Sequence, residues 1–178
     1  MANGPCPGCG FDGARLGPQD AAAALRSFPH RYRTVLKLPD DEERPDDVLH
    51  RRPRKGGLSA IEHAAWASAG IAEAGEALRL VLIKDRPLVS VPPIDPAGEV
   101  PGAGLSADEV LARLGSAAEP LAQLADRTHG DEWKRSGVTP DGSTTTALGL
   151  LVVAVHFGAH HLREADRTLN QVAGELPG

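Results

Sequence analysis

Aromatic side chains are scarce in this sequence: they make up 3% of it, as two Trp, one Tyr and three Phe. Sheets draw heavily on aromatic and β-branched residues, so the shortage, set against abundant Ala and Leu, points to helix. Long apolar runs are missing as well. "LRLVLI" and "LGLLVVAV" fall well short of the roughly 18 residues that a membrane-spanning helix needs. The start, "MANGPCPGCGFDG", lacks the charged-then-apolar order of a signal peptide, so a cytoplasmic location is expected. Positive charge is not concentrated either. The net charge is -5, and "RRPRK" at 51–55 is the only basic run, beside Pro and Gly and flanked by the acidic "DDEERPDD". It reads as a solvated loop, and with no basic face the expected partner is a small-molecule substrate, not nucleic acid or a membrane. A homodimer is compatible with this composition. Cysteine is limited to Cys6 and Cys9. Two thiols three positions apart in a cytoplasmic chain suggest metal or redox chemistry before a structural disulfide.

What the chain does have is helical periodicity, within a length of 178 residues that suits one domain with a real core. "GPQDAAAALRSFPHRYRTVLKL" opens with Pro18 and Asp20 and runs in good helix formers to Leu38, with Pro29 expected to kink it. "LSAIEHAAWASAGIAEAGEALRLVLIK" begins with a capping box of Ser59 and Glu62, and carries an apolar stripe of Ile61, Ala65, Ile71, Leu78 and Leu82. "LSADEVLARLGSAAEPLAQLADR" starts with another serine cap, Ser106, followed by Val110, Leu111, Leu114, Leu121 and Leu124 at helical spacing. The last, "STTTALGLLVVAVHFGAHHLREADRTLNQVAG", is capped from Ser143 or a neighbouring threonine and ends at Gly174. Between the second and third lies "DRPLVSVPPIDPAGEVPGAG", too rich in Pro and Gly for helix and long enough to be functional; only "PLVSV" hints at a strand. The expected fold is all-α, an antiparallel four-helix bundle with a long Pro/Gly-rich crossover between helices 2 and 3. Residues 1–16 form a Cys-containing N-terminal extension and 17–174 the bundle.

The last helix carries His156, His160 and His161 among apolar neighbours. His156 and His160 project about 40° apart, one turn above the other, so both can reach one divalent cation; His161 falls on a different face. Two readings stand: a ligand pair, or two imidazoles satisfied separately by hydrogen bonds. A third ligand from another helix would favour the first, and His63, beside Glu62 on the second helix, is the candidate. Cys6 and Cys9 in "CPGCG" have the shape of one zinc knuckle, which needs two further donors such as His30, His50 or bundle side chains. A reversible or free dithiol, and recruitment into the main site, are the other readings.

The order of these motifs resembles the DinB-like superfamily of bacterial four-helix bundles, which includes thiol-dependent S-transferases and maleylpyruvate isomerases. The carriers are Ser-x-x-Glu leading to a histidine, a Pro-rich crossover, "EWKRSGVTPDG", the final His-x-x-x-His-His-Leu, and "CPGCGFD" from Cys6 to Asp12, which marks a subgroup with an N-terminal CPxCGFD element. The resemblance implies a divalent metal, zinc or nickel, held by three histidines in the bundle core. It also implies a low-molecular-weight thiol co-substrate that the ion activates for attack on a small electrophile. The same ion activating water would give a hydrolase. The family pattern places its third histidine at position 66, where this chain has Trp66; His63 lies one turn earlier, about 60° around the helix. Either His63 supplies the missing donor, or Trp66 and His161 line a small-molecule pocket in a binding protein whose metal site is altered. Glu62 and Glu164 are candidates for orienting ligand imidazoles, and Arg163 for pairing with an anionic substrate, unless it is simply a solvated charge.

Overall fold

The structure is a computed structural model that describes residues 5–37, 44–96, 100, 102 and 104–174. A single 3-10 turn at Gly13–Arg15 leads from the N-terminal segment into α1 (Pro18–Leu36), followed by α2 (Asp46–His50), α3 (Ala60–Ile83), α4 (Ala107–Arg127) and α5 (Ala147–Gly174). The four long helices form the expected bundle. α3 packs most extensively on α5, and α1 on α4; α3·α4 and α1·α5 complete the ring, while α1 and α3 barely touch. The first two long helices are therefore diagonal partners, and the crossover joins neighbours. No helix among the described residues is long and apolar enough to cross a membrane.

Local sequence explains the helix ends. Ser59 accepts from the Glu62 amide while the Glu62 carboxylate accepts from the Ser59 amide, and Ser106 and Glu109 repeat the arrangement at α4. α5 starts at Ala147, where the Thr146 hydroxyl accepts from the Gly149 amide at 3.0 Å. α1 begins at Pro18 and keeps Pro29 inside it; its expected end at Leu38 lies outside the described residues. Two features were not anticipated. Asp46–His50, immediately before "RRPRK", forms the short α2. "SGV" and "TTT" form a hairpin, β1 (Ser136–Val138) antiparallel to β2 (Thr144–Thr146), turned by Thr139, Asp141 and Gly142. The strand hinted by "PLVSV" amounts to a bridge from Leu88 to Val138.

Glycines set how closely the helices approach. A Cβ on Gly158 of α5 would lie 2.1 Å from Phe28 Cε2 of α1, and one on Gly70 of α3 would lie 2.2 Å from Phe157 Cδ1 of α5. Two phenylalanine rings thus press on glycine notches, Phe28 of α1 on Gly158 of α5 and Phe157 of α5 on Gly70 of α3. Buried Tyr32 adds a hydrogen bond from its hydroxyl to the Gly158 carbonyl at 2.9 Å. These contacts fix the height and rotation of α5, and with them the direction in which its histidines point. Gly158→Ala should destabilise the protein by about 1–3 kcal/mol in urea unfolding, because overpacking outweighs the better helix propensity of Ala. A neutral or stabilising result would show that α1 and α5 are not this close.

Candidate metal centre

α5 directs His156 and His160 towards the N-terminal segment, which folds back as a tight turn. The Cys6 carbonyl accepts from the Gly10 amide at 2.7 Å and the Cys6 amide donates to the Phe11 carbonyl at 2.8 Å. Gly10 has φ +72°, a conformation open to glycine. Gly8 is pressed against the imidazole: a Cβ there would lie 2.9 Å from His160 Cε1. Phe11 stacks on His156 with ring centroids 5.0 Å apart and planes within 8°. Arg163, one turn along α5, donates to the Cys9 carbonyl at 2.9 Å.

The result is a cluster of Cys6, Cys9, His156 and His160 whose donor atoms all lie within 4.8 Å of one another. Cys6 Sγ and His160 Nδ1 are 3.7 Å apart. Zinc at its usual bond lengths to sulfur and imidazole nitrogen requires tetrahedral edges of about 3.3–3.8 Å, so the Cys6–His160 pair already fits, and pairs near the outer bound would close by about 1 Å. Two further observations fit a cation. The Nε2 of His156 is buried without a hydrogen-bond partner, a costly state that a metal bond would relieve. Two thiolates would also neutralise a divalent charge, and two thiolates with two imidazoles suit zinc. Burial pushes the Cys9 thiol up, partly offset by its backbone hydrogen bond and by Arg163. Burial, then His160, pushes His156 down, leaving its ring neutral and able to donate a lone pair.

The other two histidines make a separate arrangement. His63 Nδ1 lies 3.2 Å from His161 Nδ1, and His161 Nε2 lies 2.8 Å from the Ile94 carbonyl. A carbonyl only accepts, so His161 carries its proton on Nε2 and accepts on Nδ1, and His63 donates through Nδ1–H. Both rings are neutral: burial, then His160, takes His63 down to about 4, and burial, then His63, takes His161 down to about 3. The Trp66 indole donates to the same Ile94 carbonyl at 3.1 Å. The crossover is thereby tied to α3 and α5 by one oxygen that accepts twice. Asp95, the next residue, sets its carboxylate 3.9 Å from His160 Nε2, on the opposite side of the ring from Cys6.

The expected site residues are distributed between these two arrangements. His63 does not join His156 and His160; it pairs with His161, and the additional donors come from Cys6 and Cys9. Trp66 and His161 do not line the cavity beside the cluster; they hold the loop. Arg163 braces the cysteine turn through its hydrogen bond to the Cys9 carbonyl. Glu62 closes the helix cap and pairs with Arg52 through both oxygens; burial would raise its carboxyl, but Arg52 and Ser59 outweigh that and leave it lowered. Glu164 pairs with Arg167. Asp95, Gly8 and Phe11 were missed. Of these, Gly8 and Phe11 carried a sequence signal, as part of "CPGCGFD"; Asp95 carried none.

A cavity of about 550 Å³ opens beside the cluster, lined by Cys6, Phe11, Thr146, Leu148, Val152 and His156 among others, and most of its wall is apolar. The pairing of a four-helix bundle with a Cys/His cluster between its last helix and the N-terminal turn defines a helical protein with a candidate metal centre. A family model described as the DinB superfamily matches residues 24–165, and the chain belongs to that superfamily. A solved structure of similar fold is YfiT from Bacillus subtilis, described as a probable metal-dependent hydrolase with an unusual four-helix bundle topology. The match has a TM-score of 0.68 at 18% identity and covers 88% of this chain and 90% of that one. No curated protein matches the chain.

The histidine pair gives stability a pH dependence. Unfolded rings take up protons near 6.5, whereas folded His63 and His161 resist until about 4 and about 3. Between those limits the unfolded chain binds more protons, so stability is full above about pH 6.5 and falls as pH drops towards 3. In metal-free protein, His63→Gln should flatten this acid-side decline; an unchanged slope in urea midpoints from pH 7 to 4 would show that His63 is not held neutral.

Proposed function

We propose that this chain is a zinc-dependent transferase of the DinB type, holding its ion through Cys6, Cys9, His156 and His160. Its substrate is a small, largely apolar electrophile, and the nucleophile is a low-molecular-weight thiol or water. One observation carries the proposal: the cavity shares Cys6 and His156 with the donor cluster, so a molecule bound there lies against the centre. The bound ion would supply Lewis-acid charge that lowers the pKa of a thiol or water beside it. The chain's own residues do the rest. Phe11 and Gly8 fix the planes of the two imidazoles, and Arg163 holds the Cys9 strand. Asp95 lies 3.9 Å from the outer nitrogen of His160, beyond hydrogen-bond reach but on the side opposite the cysteines. Leu148, Val152 and Phe11 keep the cavity wall dry and favour an apolar substrate body.

A second reading is favoured by the number of donors. Four protein ligands complete a tetrahedron, the pattern of structural zinc sites, whereas catalytic sites keep a position open. The ion would then staple residues 6–9 to α5 in a protein that binds a small molecule without transforming it.

Zinc content of untagged protein tests the metal assignment, and turnover of a chloronitrobenzene electrophile with and without 2-mercaptoethanol tests the activity. His160→Ala and Cys9→Ala should lose the ion while the bundle stays folded, since apolar packing supplies most of its stability. His63→Ala should keep it. Parent protein that takes up neither zinc nor nickel would overturn the proposal; loaded protein without turnover would favour the second reading.

A further inference from the structure

The four donors are not equally restrained. Cys9 is 9% exposed, and its carbonyl is held by Arg163. His160 is 7% exposed, wedged against Gly8 on one side and facing Asp95 on the other. His156 is stacked under Phe11. Cys6 is half-buried, and among the described residues its sulfur has His160 and Cys9 as polar side-chain neighbours, both in the cluster. It also lines the cavity of about 550 Å³, so an entering molecule meets Cys6 before the better-buried Cys9 and His160. A closed tetrahedron can act on a substrate only if one donor gives way, and geometry distinguishes this one.

We propose that Cys6 is an exchangeable donor: a thiol entering from the cavity takes its place, converting the closed set into Cys9, His156 and His160 plus a ligand from solution. This deepens the metal-dependent reading given above and rests on it. Cys6 leaves as the entering sulfur's lone pair takes its position. The proton released by the entering thiol passes to the Cys6 thiolate, so charge is conserved and nothing is oxidised or reduced. Cys6 thereby acts as a gate that keeps the ion covered until a thiol arrives. It also selects for thiols, because water is a weaker competitor for a position occupied by thiolate.

The test uses full-length protein loaded with cobalt, whose thiolate charge-transfer absorption counts bound sulfur. Cys6→Ala should still bind the ion with reduced absorption, and 2-mercaptoethanol should restore the parent intensity by filling the missing position. Cys9→Ala should neither hold the ion firmly nor be rescued. In zinc-loaded parent protein, iodoacetamide should modify Cys6 about tenfold or more faster than Cys9, as mass spectrometry reads it, because exposure governs thiol reactivity. Equal alkylation rates, rescue of both variants or rescue of neither would overturn the gate while leaving a closed structural ion in place. Parent protein that binds no cobalt or zinc would remove the metal reading and the gate together.

Discussion

An imidazole buried on a helix must find a partner for each nitrogen, and α5 places buried His160 and His161 and half-buried His156 within six residues. The helix cannot supply those partners, because its own amides and carbonyls are committed to the backbone ladder. They come from elsewhere in the chain. His156 and His160 draw in the cysteine turn; His161 draws in His63 and the Ile94 carbonyl. The paths of the N-terminal segment and of the crossover loop both follow from that requirement.

Trp66 fits the same logic. At the position where the resemblance implied a metal histidine, the indole N–H is spent on the Ile94 carbonyl, which brings Asp95 to the outer face of His160. The donor that α3 does not provide has its counterpart in two thiols from the far end of the chain. Charge changes with it. Three neutral histidines leave a bound dication's charge uncompensated, while two thiolates cancel it, which suits a cluster in which Cys9 and His160 are buried.

The bundle was legible because its determinants are local. Capping boxes at Ser59 and Ser106 and the stripes through Ile61, Ile71, Leu78, Val110 and Leu114 are written in short windows, and these residues are buried as expected. The i, i+4 pair of His156 and His160 was visible for the same reason. What the pair meets was not. Cys6 is 154 positions from His160, and a fixed spacing within one helix says nothing about which distant segment packs on it. His161 was read as facing another side of α5, and it does; what it meets there is His63, the residue expected at the metal. The hairpin was missed because "SGV" and "TTT" are only three residues each and owe their pairing to the turn between them.

The long separation between Cys6 and His160 has a consequence for how the protein is made. Synthesis releases the cysteine turn first and α5 last, so the thiols emerge from the ribosome well before the imidazoles that accompany them. During that interval they are ordinary accessible cysteines, open to oxidants and to stray cations. Completion of the cluster depends on α5 being fully extruded and seated on its glycine notches. A chain interrupted before His156 lacks the imidazoles that face the thiols, so its cysteines stay exposed, and that distinguishes an unfinished molecule from a finished one.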